Sequence, residues 1–173
     1  PAVLVTHSRD EVYRLSSRLM IMDRGLAEES GDTRELFLRP KSRVAAKLTG
    51  CKNISSAFWA QEGWYVPEWD LPLPASIRGE KADYIGIRAH DFVHRRETGQ
   101  EYIPIEIAIR GISEGPFEWN VTFQKRRTKE RSAQVQDALL WWKVGKELLK
   151  TREELEQVTS LYIRKTGILY LRD

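Results

Sequence analysis

The stretch Pro1-Ala-Val-Leu-Val-Thr-His-Ser-Arg-Asp-Glu-Val-Tyr-Arg-Leu15 decides the fold of the first part of the chain. The apolar run at residues 2–5 is typical of a buried strand. Ser8 followed by Glu11 forms a capping box, which predicts a helix directly after this strand. His7 stands between the two, at the carboxyl end of the strand. Open α/β sheets bind ligands at that position, so His7 is the first candidate functional residue.

Residues 18–50 continue as short strands and helices. The apolar run at 18–23 predicts a strand, and after a turn at Arg24-Gly25 residues 26–30 are predicted as a second, short strand. Two helical patterns follow, and Pro40 ends the first of them. The remaining boundaries come from two N-caps and one C-cap glycine: Asp32, Ser42 and Gly50.

From residue 51 onwards the sequence is typical of a small β-barrel or sandwich. In the run Ile103-Pro-Ile-Glu-Ile-Ala-Ile109 the isoleucines share one face, and Pro104 favours an edge strand or a strand start. The segment 133–157 fits either a helix or two loops. The predicted fold class is α+β, with an N-terminal α/β piece followed by a small all-β barrel. Strands are expected near 54–60, 63–67, 83–88, 102–112, 117–124, 158–164 and 167–171.

Composition narrows the functional classes. The 173 residues are 41% hydrophobic and 31% charged, which is typical of a globular protein. The net charge of +3 is too small to indicate nucleic-acid binding without a clustered basic patch. Cys51 is the one cysteine, so the chain forms no internal disulfide and a reducing compartment is favoured. No apolar stretch is long enough to span a membrane as a helix.

Three segments resemble, in order, the ATP-binding subunits of ABC transporters. Residues 4–12 resemble the switch region, 18–25 the next strand and turn, and 31–40 the closing helix with its G-x-x-x-E-L-F-x-x-P pattern. The resemblance implies that residues 1–49 are the C-terminal end of a nucleotide-binding domain. It also implies that His7 is the switch histidine, which contacts the γ-phosphate of ATP and orients the attacking water. ATP and Mg²⁺ would be the cofactors of the parent subunit.

The second part resembles the TOBE regulatory domain of importer ATPases, which is an OB-like β-domain. The resemblance rests on Asn53, on Tyr84-Ile-Gly-Ile-Arg-Ala-His-Asp91 and on Ile168-Leu-Tyr-Leu171. Ala89 and His90 stand where that family usually has Pro and Glu. The linker at residues 48–54 is similar to that of molybdate and tungstate transporters. The resemblance implies a TOBE-like regulatory domain over residues 50–173.

The resemblance also implies partners, a location and a possible ligand. The partners would be a second copy, forming a homodimer, and transmembrane permease subunits. The location would be the cytoplasm, peripheral to the inner face of the cell membrane. If the β-domain senses an oxyanion such as molybdate, backbone N–H groups with cationic and hydroxyl side chains would hold it. The candidate ligand-binding residues are Arg88, Ser113, Lys165 and Thr166.

Several elements of a complete ATPase are missing from the sequence. It contains no G-x-x-x-x-G-K-[ST] phosphate loop, no LSGGQ-type signature and no acidic strand end ahead of residue 2. We therefore expect that this polypeptide alone neither binds ATP tightly nor hydrolyses it, and that it carries no cofactor of its own. Because the sequence starts inside a strand, we also expect it to be part of a longer subunit.

Two other functional classes remain open at this stage. One is a stand-alone oxyanion-binding β-module. The other is a nucleic-acid-binding β-barrel that uses the basic run at residues 124–131, although a solvated loop is the simpler interpretation and no nucleic-acid partner is expected. His90 and His94 have a spacing that could share a metal on a helix, but they follow a strand pattern. We interpret them as surface histidines and expect no metal site.

Overall fold

The computed structural model describes residues 2–60, 63–74, 81–126 and 138–173, which form a mostly β structure with short helices. The first part contains α1 (Arg9–Leu15), β1 (Arg18–Asp23), β2 (Leu26–Asp32), α2 (Thr33–Leu38) and α3 (Arg43–Leu48). The second part contains β3 (Asn53–Ser56), β4 (Phe58–Ala60), β5 (Gly63–Val66), β6 (Leu71–Pro74), β7 (Tyr84–Ile87), β8 (Phe92–Val93), β9 (Tyr102–Glu114), β10 (Glu118–Lys125), β11 (Leu140–Gly145), α4 (Arg152–Glu156), β12 (Ser160–Arg164) and β13 (Ile168–Leu171).

The helix caps and the hairpin turn predicted within residues 8–50 are confirmed, while β2 runs two residues beyond the predicted 26–30. Three side chains cap helices by accepting a hydrogen bond from a backbone N–H one turn later: Ser8, Asp32 and Ser42. β1 and β2 form an antiparallel hairpin, and Arg24 and Gly25 at its turn have φ angles of 47° and 82°. Gly50 follows α3 with a φ of 98°, which suits a glycine after a helix end.

The strand predicted at residues 2–5 is wrong for this structure. These residues form no strand, and Val3 and Val5 are 93% and 92% exposed. An apolar run becomes a buried strand only when a neighbouring strand pairs with its backbone and a second layer covers its side chains. Within the described ranges no strand lies beside residues 2–5. The α/β character expected for the first part is therefore not confirmed, because β1 and β2 pair with each other and with no further strand of the described residues.

The second part is β as predicted, and its sheets form a nearly closed, barrel-like arrangement. A five-stranded sheet has the order β11-β10-β9-β12-β8, and two three-stranded sheets have the orders β13-β7-β3 and β4-β5-β6. All three sheets contribute to one apolar core, in which the rings of Phe92 and Phe123 meet edge to face at 5.2 Å. The other large, fully buried side chains include Trp142, Leu73, Ile85, Ile107, Leu161 and Ile163.

β9 is the longest strand, and it has different partners along its length. Its first residues pair with β12 and its later residues with β10. Pro104 lies in the part that pairs with β12, opposite Tyr162. The Ile107 N–H donates to Thr159 O, so odd-numbered residues here direct their N–H towards β12. Pro104 directs its nitrogen to the other side, where the pairing with β10 has not yet begun, so the proline removes no hydrogen bond of the sheet.

Three differences from the predicted strands have clear physical causes. The strand expected at 54–60 is two strands, because the chain passes at Ala57 from the sheet of β7 to the sheet of β5. Neither alternative for 133–157 is correct for its described residues: 140–145 is strand β11 and 152–156 is helix α4, while 133–137 lie outside the described residues. β11 alternates buried side chains with exposed ones, and the buried ones are Leu140, Trp142 and Val144. Strand β6 was not predicted because Pro72 and Pro74 argue against a strand, and β8 because it has two residues.

Asn53 joins two of the sheets through its side chain. Its Nδ2 donates to Ile87 O and to Trp141 O, both at 2.9 Å, and its Oδ1 accepts from the Trp141 N–H at 2.6 Å. The amide of Asn53 therefore pairs with the backbone of the edge strand β11 as another strand would. Because Asn53 is only 3% exposed, removing the amide would leave backbone groups of β7 and β11 without partners.

We expect Asn53→Ala to lower the free energy of unfolding by about 3 kcal/mol, because it leaves buried N–H and C=O groups unsatisfied. Urea unfolding followed by tryptophan fluorescence measures this. Asn120→Ala is the matched control, since Asn120 is half-buried on β10 and its side chain makes no hydrogen bond to the described residues. That variant should lose less than about 1 kcal/mol. Equal losses in the two variants would contradict a sheet-joining role for Asn53.

Candidate functional site

His7 lies on a backbone bend that polar side chains hold on both sides. The Ser8 N–H donates to Thr6 Oγ1 at 3.0 Å, and Thr6 Oγ1 donates to Glu11 Oε2 at 2.7 Å. The Glu11 N–H donates to Ser8 Oγ at 3.4 Å and caps α1. The His7 side chain itself is exposed. The neighbouring side chains thus hold the backbone at His7, while its imidazole makes no hydrogen bond to the described residues.

Arg88 lies at the end of β7 and contacts the ends of two helices. Its Nη1 donates to Thr49 O at 2.9 Å, and its Nη2 donates to Thr49 Oγ1 at 3.1 Å and also to Phe37 O. Phe37 is in the last turn of α2, and Thr49 is the C-cap of α3. A cation is favourable at the carbonyl end of a helix, and the planar guanidinium serves both ends at once. An oxyanion that reached Arg88 would therefore compete with these helix carbonyls.

The helix that follows His7 reaches the same junction through Arg9. The Arg9 Nη1 atom occupies the space beside Gly50, at 2.3 Å from where a Cβ would be. Gly50 is thus required both for its positive φ and for the room it leaves to Arg9. Burial lowers the pKa of Arg88 from its usual value, the charge of Asp91 opposes this, and the nearby Arg9 charge adds to it. Segments α1, α3 and β7 therefore meet at one cationic junction.

Two 3-10 turns lie side by side next to Arg88. The first is Ala89–Asp91 and the second is Lys165–Gly167. The Asp91 carboxylate lies against Gly167, where an added Cβ would be 2.4 Å from Asp91 Cγ. Burial raises the pKa of Asp91, while the positive charges of His90, Arg164 and Arg88 oppose this. The second turn therefore packs directly on a half-buried carboxylate.

Of the four predicted ligand-binding residues, Arg88, Lys165 and Thr166 lie on neighbouring turns, and Ser113 lies in a different sheet. Lys165 Nζ pairs with Glu101 Oε2 at 2.9 Å, and this hydrogen bond lowers the pKa of Glu101. Thr166, next in the same turn, is exposed. This turn is beside the Arg88 turn because Ile168 of β13 pairs with Ile87 of β7. Ser113 is exposed near the β9–β10 turn, opposite Asn120 and in a different sheet.

The two candidate metal-spaced histidines diverge in the fold. His90 is exposed, with its Nε2 at 3.9 Å from Asp91 Oδ2. His94 is half-buried rather than on the surface as predicted, with its ring centroid 6.4 Å from that of Trp142. Burial lowers the pKa of His94, and the charge of Arg95 contributes in the same direction. Among the described residues no group of three or more His, Cys, Asp or Glu could hold a metal ion.

The basic run at 124–131 is only partly described, since residues 127–131 lie outside the described ranges. Lys125 is not a solvated side chain: its Nζ donates to Asp70 O and lies 3.8 Å from Asp70 Oδ2. This contact joins β10 to the turn before β6. The interpretation of the whole run as a solvated loop is therefore wrong for Lys125.

Arg88, Thr49 and Phe37 form a contact that the sequence analysis missed. Arg88 was identified from its position at a strand end, but as an anion ligand. No local sequence signal pointed to this contact, because the basic residues nearest in sequence to these helix ends are Arg39, the C-cap of α2, and Lys47, in the last turn of α3.

No helix within the described ranges is long and apolar enough to cross a membrane. No protein-family model matches the sequence.

Curated relatives of the chain are ATP-binding subunits of import systems. The sulfate/thiosulfate import ATP-binding protein CysA of Vibrio cholerae is 27% identical over 107 residues, which are 61% of this chain and 28% of that protein. The molybdate/tungstate import ATP-binding protein WtpC of Pyrococcus horikoshii is 34% identical over 52% of this chain and 26% of that protein. The Fe(3+) ions import ATP-binding protein FbpC 1 of Pectobacterium atrosepticum is 26% identical over 64% of this chain and 32% of that protein.

The chain thus matches about 26–32% of the length of these relatives. The resemblance to ABC importer ATP-binding subunits is confirmed at this coarse level.

We expect Arg88→Met to loosen α2 and α3 from the β part of the chain. The substitution keeps an unbranched apolar stem but removes the hydrogen bonds to Phe37 and Thr49, and should lower the free energy of unfolding by about 2–3 kcal/mol. Hydrogen exchange of the α3 amides should accelerate more than that of β9. Arg95→Met is the control at an exposed arginine outside the junction. Unchanged α3 exchange in Arg88→Met would contradict the anchoring role.

The buried thiol of Cys51 should make the free energy of unfolding depend on pH. Cys51 is 3% exposed, and burial raises the pKa of its thiol from 9.0 to about 11, although the charge of Arg88 opposes the rise. Between these values the unfolded chain loses the thiol proton and the folded chain keeps it, so stability falls as pH rises. This group should remove about 2–3 kcal/mol of stability across that window.

Urea unfolding at pH 8 and pH 10.5 checks this prediction when Cys51→Ala is compared with the unsubstituted chain. The variant starts less stable but should lose less on going to the higher pH. Other groups that titrate in this range are present in both proteins and cancel in the comparison. An identical pH-dependent loss in both would mean that the Cys51 thiol is not the cause.

Proposed function

We propose that this chain is the C-terminal regulatory portion of an ABC importer ATP-binding subunit. Residues 1–49 would be the end of its nucleotide-binding domain, and residues 50–173 a TOBE-like regulatory β-domain. The observation that carries the proposal is the agreement among the relatives. Proteins named for sulfate, molybdate or tungstate, and Fe(3+) import share the description of import ATP-binding protein. The β-rich second part is consistent with it.

The exposed apolar residues of the first part support the assignment of residues 1–49. Val3 and Val5 are almost fully exposed, and Leu15, Leu26 and Leu38 are 73%, 69% and 67% exposed. Apolar side chains clustered in a short segment usually mark a surface that packs on something else. In the proposed subunit, residues 2–5 would be a strand in the sheet of the nucleotide-binding domain, with His7 at its carboxyl end.

His7 would be the γ-phosphate contact of that subunit, and its fixed bend and exposed imidazole support the role. The residues present do not by themselves make a site for ATP and Mg²⁺, because His7 is one contact and the phosphate loop is not among them. ATP and Mg²⁺ would be bound by the parent subunit. This chain alone would not hydrolyse ATP.

The β part would regulate hydrolysis, and the Arg88 junction supports such coupling. It would do so as a homodimer on transmembrane permease subunits, in the cytoplasm at the inner face of the membrane. The linker at residues 48–54 favours molybdate or tungstate as the transported oxyanion. Sensing of that oxyanion would use the neighbouring turns that carry Arg88, Lys165 and Thr166, with Ser113 a separate candidate. The ligand would need to prefer one arrangement of the dimer.

A chimaeric subunit tests the proposal. Residues 1–173 would follow the part of Vibrio cholerae CysA that lies ahead of the matched region, and phosphate release would be measured. The chimaera should hydrolyse ATP. His7→Ala should lower kcat by about a hundredfold or more with little change in KM, since it removes one positioned contact to the reacting phosphate. His90→Ala is the matched control at an exposed histidine and should stay within about twofold.

Two outcomes would contradict the proposal. One is full ATPase activity of the chimaera with His7→Ala. The other is phosphate release by the 173-residue chain alone that disappears in His7→Ala. Size-exclusion chromatography of each variant separates a catalytic effect from misfolding.

A further inference from the structure

A groove of about 450 Å³ runs beside β9, on the part of the strand that follows its pairing with β12. Six consecutive residues of β9, 107–112, form one wall. The opposite wall comes from α4 and the residues after it, including Val158 and Thr159. Six residues of extended chain span roughly 20 Å, so the groove is as long as a short strand.

The β9 edge that lines this groove has no strand partner among the described residues. β12 pairs with β9 only as far as Glu106, and the last contact between them is the Ile107 N–H bond to Thr159 O at 2.8 Å. From residue 108 onwards the one described strand that pairs with β9 is β10, on its other side. Its remaining backbone N–H and C=O groups therefore face the groove, where an added strand would satisfy them.

A β-bulge and a basic rim distinguish this edge from an ordinary strand end. Thr122 pairs with Gly111 and Phe123 with Ile109, so Arg110 is the extra residue and the strand bends there. Three arginines line the groove, namely Arg110, Arg126 and Arg152.

The arginines keep hydrogen-bonding capacity for a ligand. Arg110 Nε donates to Gln124 Oε1 at 2.7 Å, and Arg152 Nε to Glu156 Oε1 at 2.9 Å. The Nη groups of Arg110 and Arg152 make no hydrogen bond to the described residues. Among the described residues of the lining, Glu156 is the one acidic residue against three arginines, so this part of the groove carries a net positive charge. Guanidinium groups bind carboxylates in a bidentate way.

We propose that the β9 groove is a docking site for an extended acidic segment of a partner protein, which adds to β9 as a strand. The open backbone edge supplies the main-chain hydrogen bonds. Alternate side chains of the added strand lie on one face about 7 Å apart, so acidic residues at alternate positions meet the arginine rim. Half-buried Ile109 and Ile112 on the groove wall offer apolar contact to the intervening side chains. This docking site is independent of the proposed ATPase function.

The probe for this proposal is a fluorescein-labelled peptide, Glu-Val-Glu-Val-Glu-Val-Glu-Val, binding to the complete 173-residue chain at physiological salt. Fluorescence anisotropy should show saturable binding. The double variant Arg110→Glu with Arg152→Glu should weaken binding by about tenfold or more, since each change replaces an attraction by a repulsion. Arg95→Glu with Arg172→Glu is the matched control, since it makes the same charge change at two exposed arginines outside the groove, and should change affinity by less than about twofold.

A second peptide separates strand addition from simple charge attraction. It has the same side chains but N-methyl groups at alternate residues, which removes the N–H groups of one edge. The peptide is made in two forms, with the methyl groups on one or the other of its two edges. If the peptide adds to β9 as a strand, at least one of these forms should bind about tenfold more weakly than the unmodified peptide. The proposal is overturned if both methylated forms bind as tightly as the unmodified peptide. It is also overturned if binding of the unmodified peptide does not saturate.

Two further results also overturn it. Equal loss of affinity in the control double variant shows that net charge alone attracts the peptide. Displacement of the peptide by millimolar sulfate, at constant ionic strength, shows a small-anion site at the arginines instead of a strand slot. Thermal unfolding of each variant confirms that it is folded.

Discussion

The guanidinium of Arg88 is the side-chain contact that ties the ends of α2 and α3 to the β part, beside the backbone hydrogen bonds that join Arg172 to Lys41 and Arg43. Helices α2 and α3 are six residues long each, which is too short for stability in isolation. Their C-terminal carbonyls converge on one cation at the end of β7, and this contact satisfies groups that a helix end leaves unpaired. Arg9 approaches the same junction from α1, where Gly50 leaves room for it. The arrangement of the first fifty residues thus depends on a side chain far along the sequence.

The β part is held together by elements that serve two neighbours at once. β9 pairs with β12 in its first half and with β10 in its second, and Asn53 links the sheet of β7 to the edge strand β11 through its side-chain amide. Shared elements of this kind make a nearly closed arrangement from short strands. They also leave an edge without a strand partner in the described part of the chain where one pairing has ended, as along β9 beside α4. Strands that change partner along their length therefore account for both the shared core and the groove beside β9.

Under the proposed function, the junction gives a physical route between nucleotide and regulatory ends. His7 immediately precedes α1, α1 contacts the end of α3 through Arg9, and α3 contacts β7 through Arg88. A structural change at the switch segment would reach the two 3-10 turns around Asp91 through this series of packed contacts. The names of the relatives differ in the transported ion and agree in describing an import ATP-binding protein.

Local sequence determined the caps, turns and most strands of this protein. Ser8, Asp32 and Ser42 cap their helices, and Arg24-Gly25 turns its hairpin, because these features depend on residues within one turn of each other. β11 was detectable from alternation, since Leu140, Trp142 and Val144 share one face, but competing helical patterns around it obscured the signal. His7 was placed at a strand end on pattern alone, and the strand is absent because nothing in the described chain pairs with residues 2–5.

Only the tertiary structure decided which distant groups share a site. It brought Arg88 onto the carbonyls of Phe37 and Thr49, set the Lys165 turn against Asp91, and aligned three arginines along β9. These pairings depend on sheet order and register, which are set by the burial of the whole apolar core and not by any short stretch of residues. Sequence fixes what each side chain is able to bind, and packing of the complete chain decides what it meets.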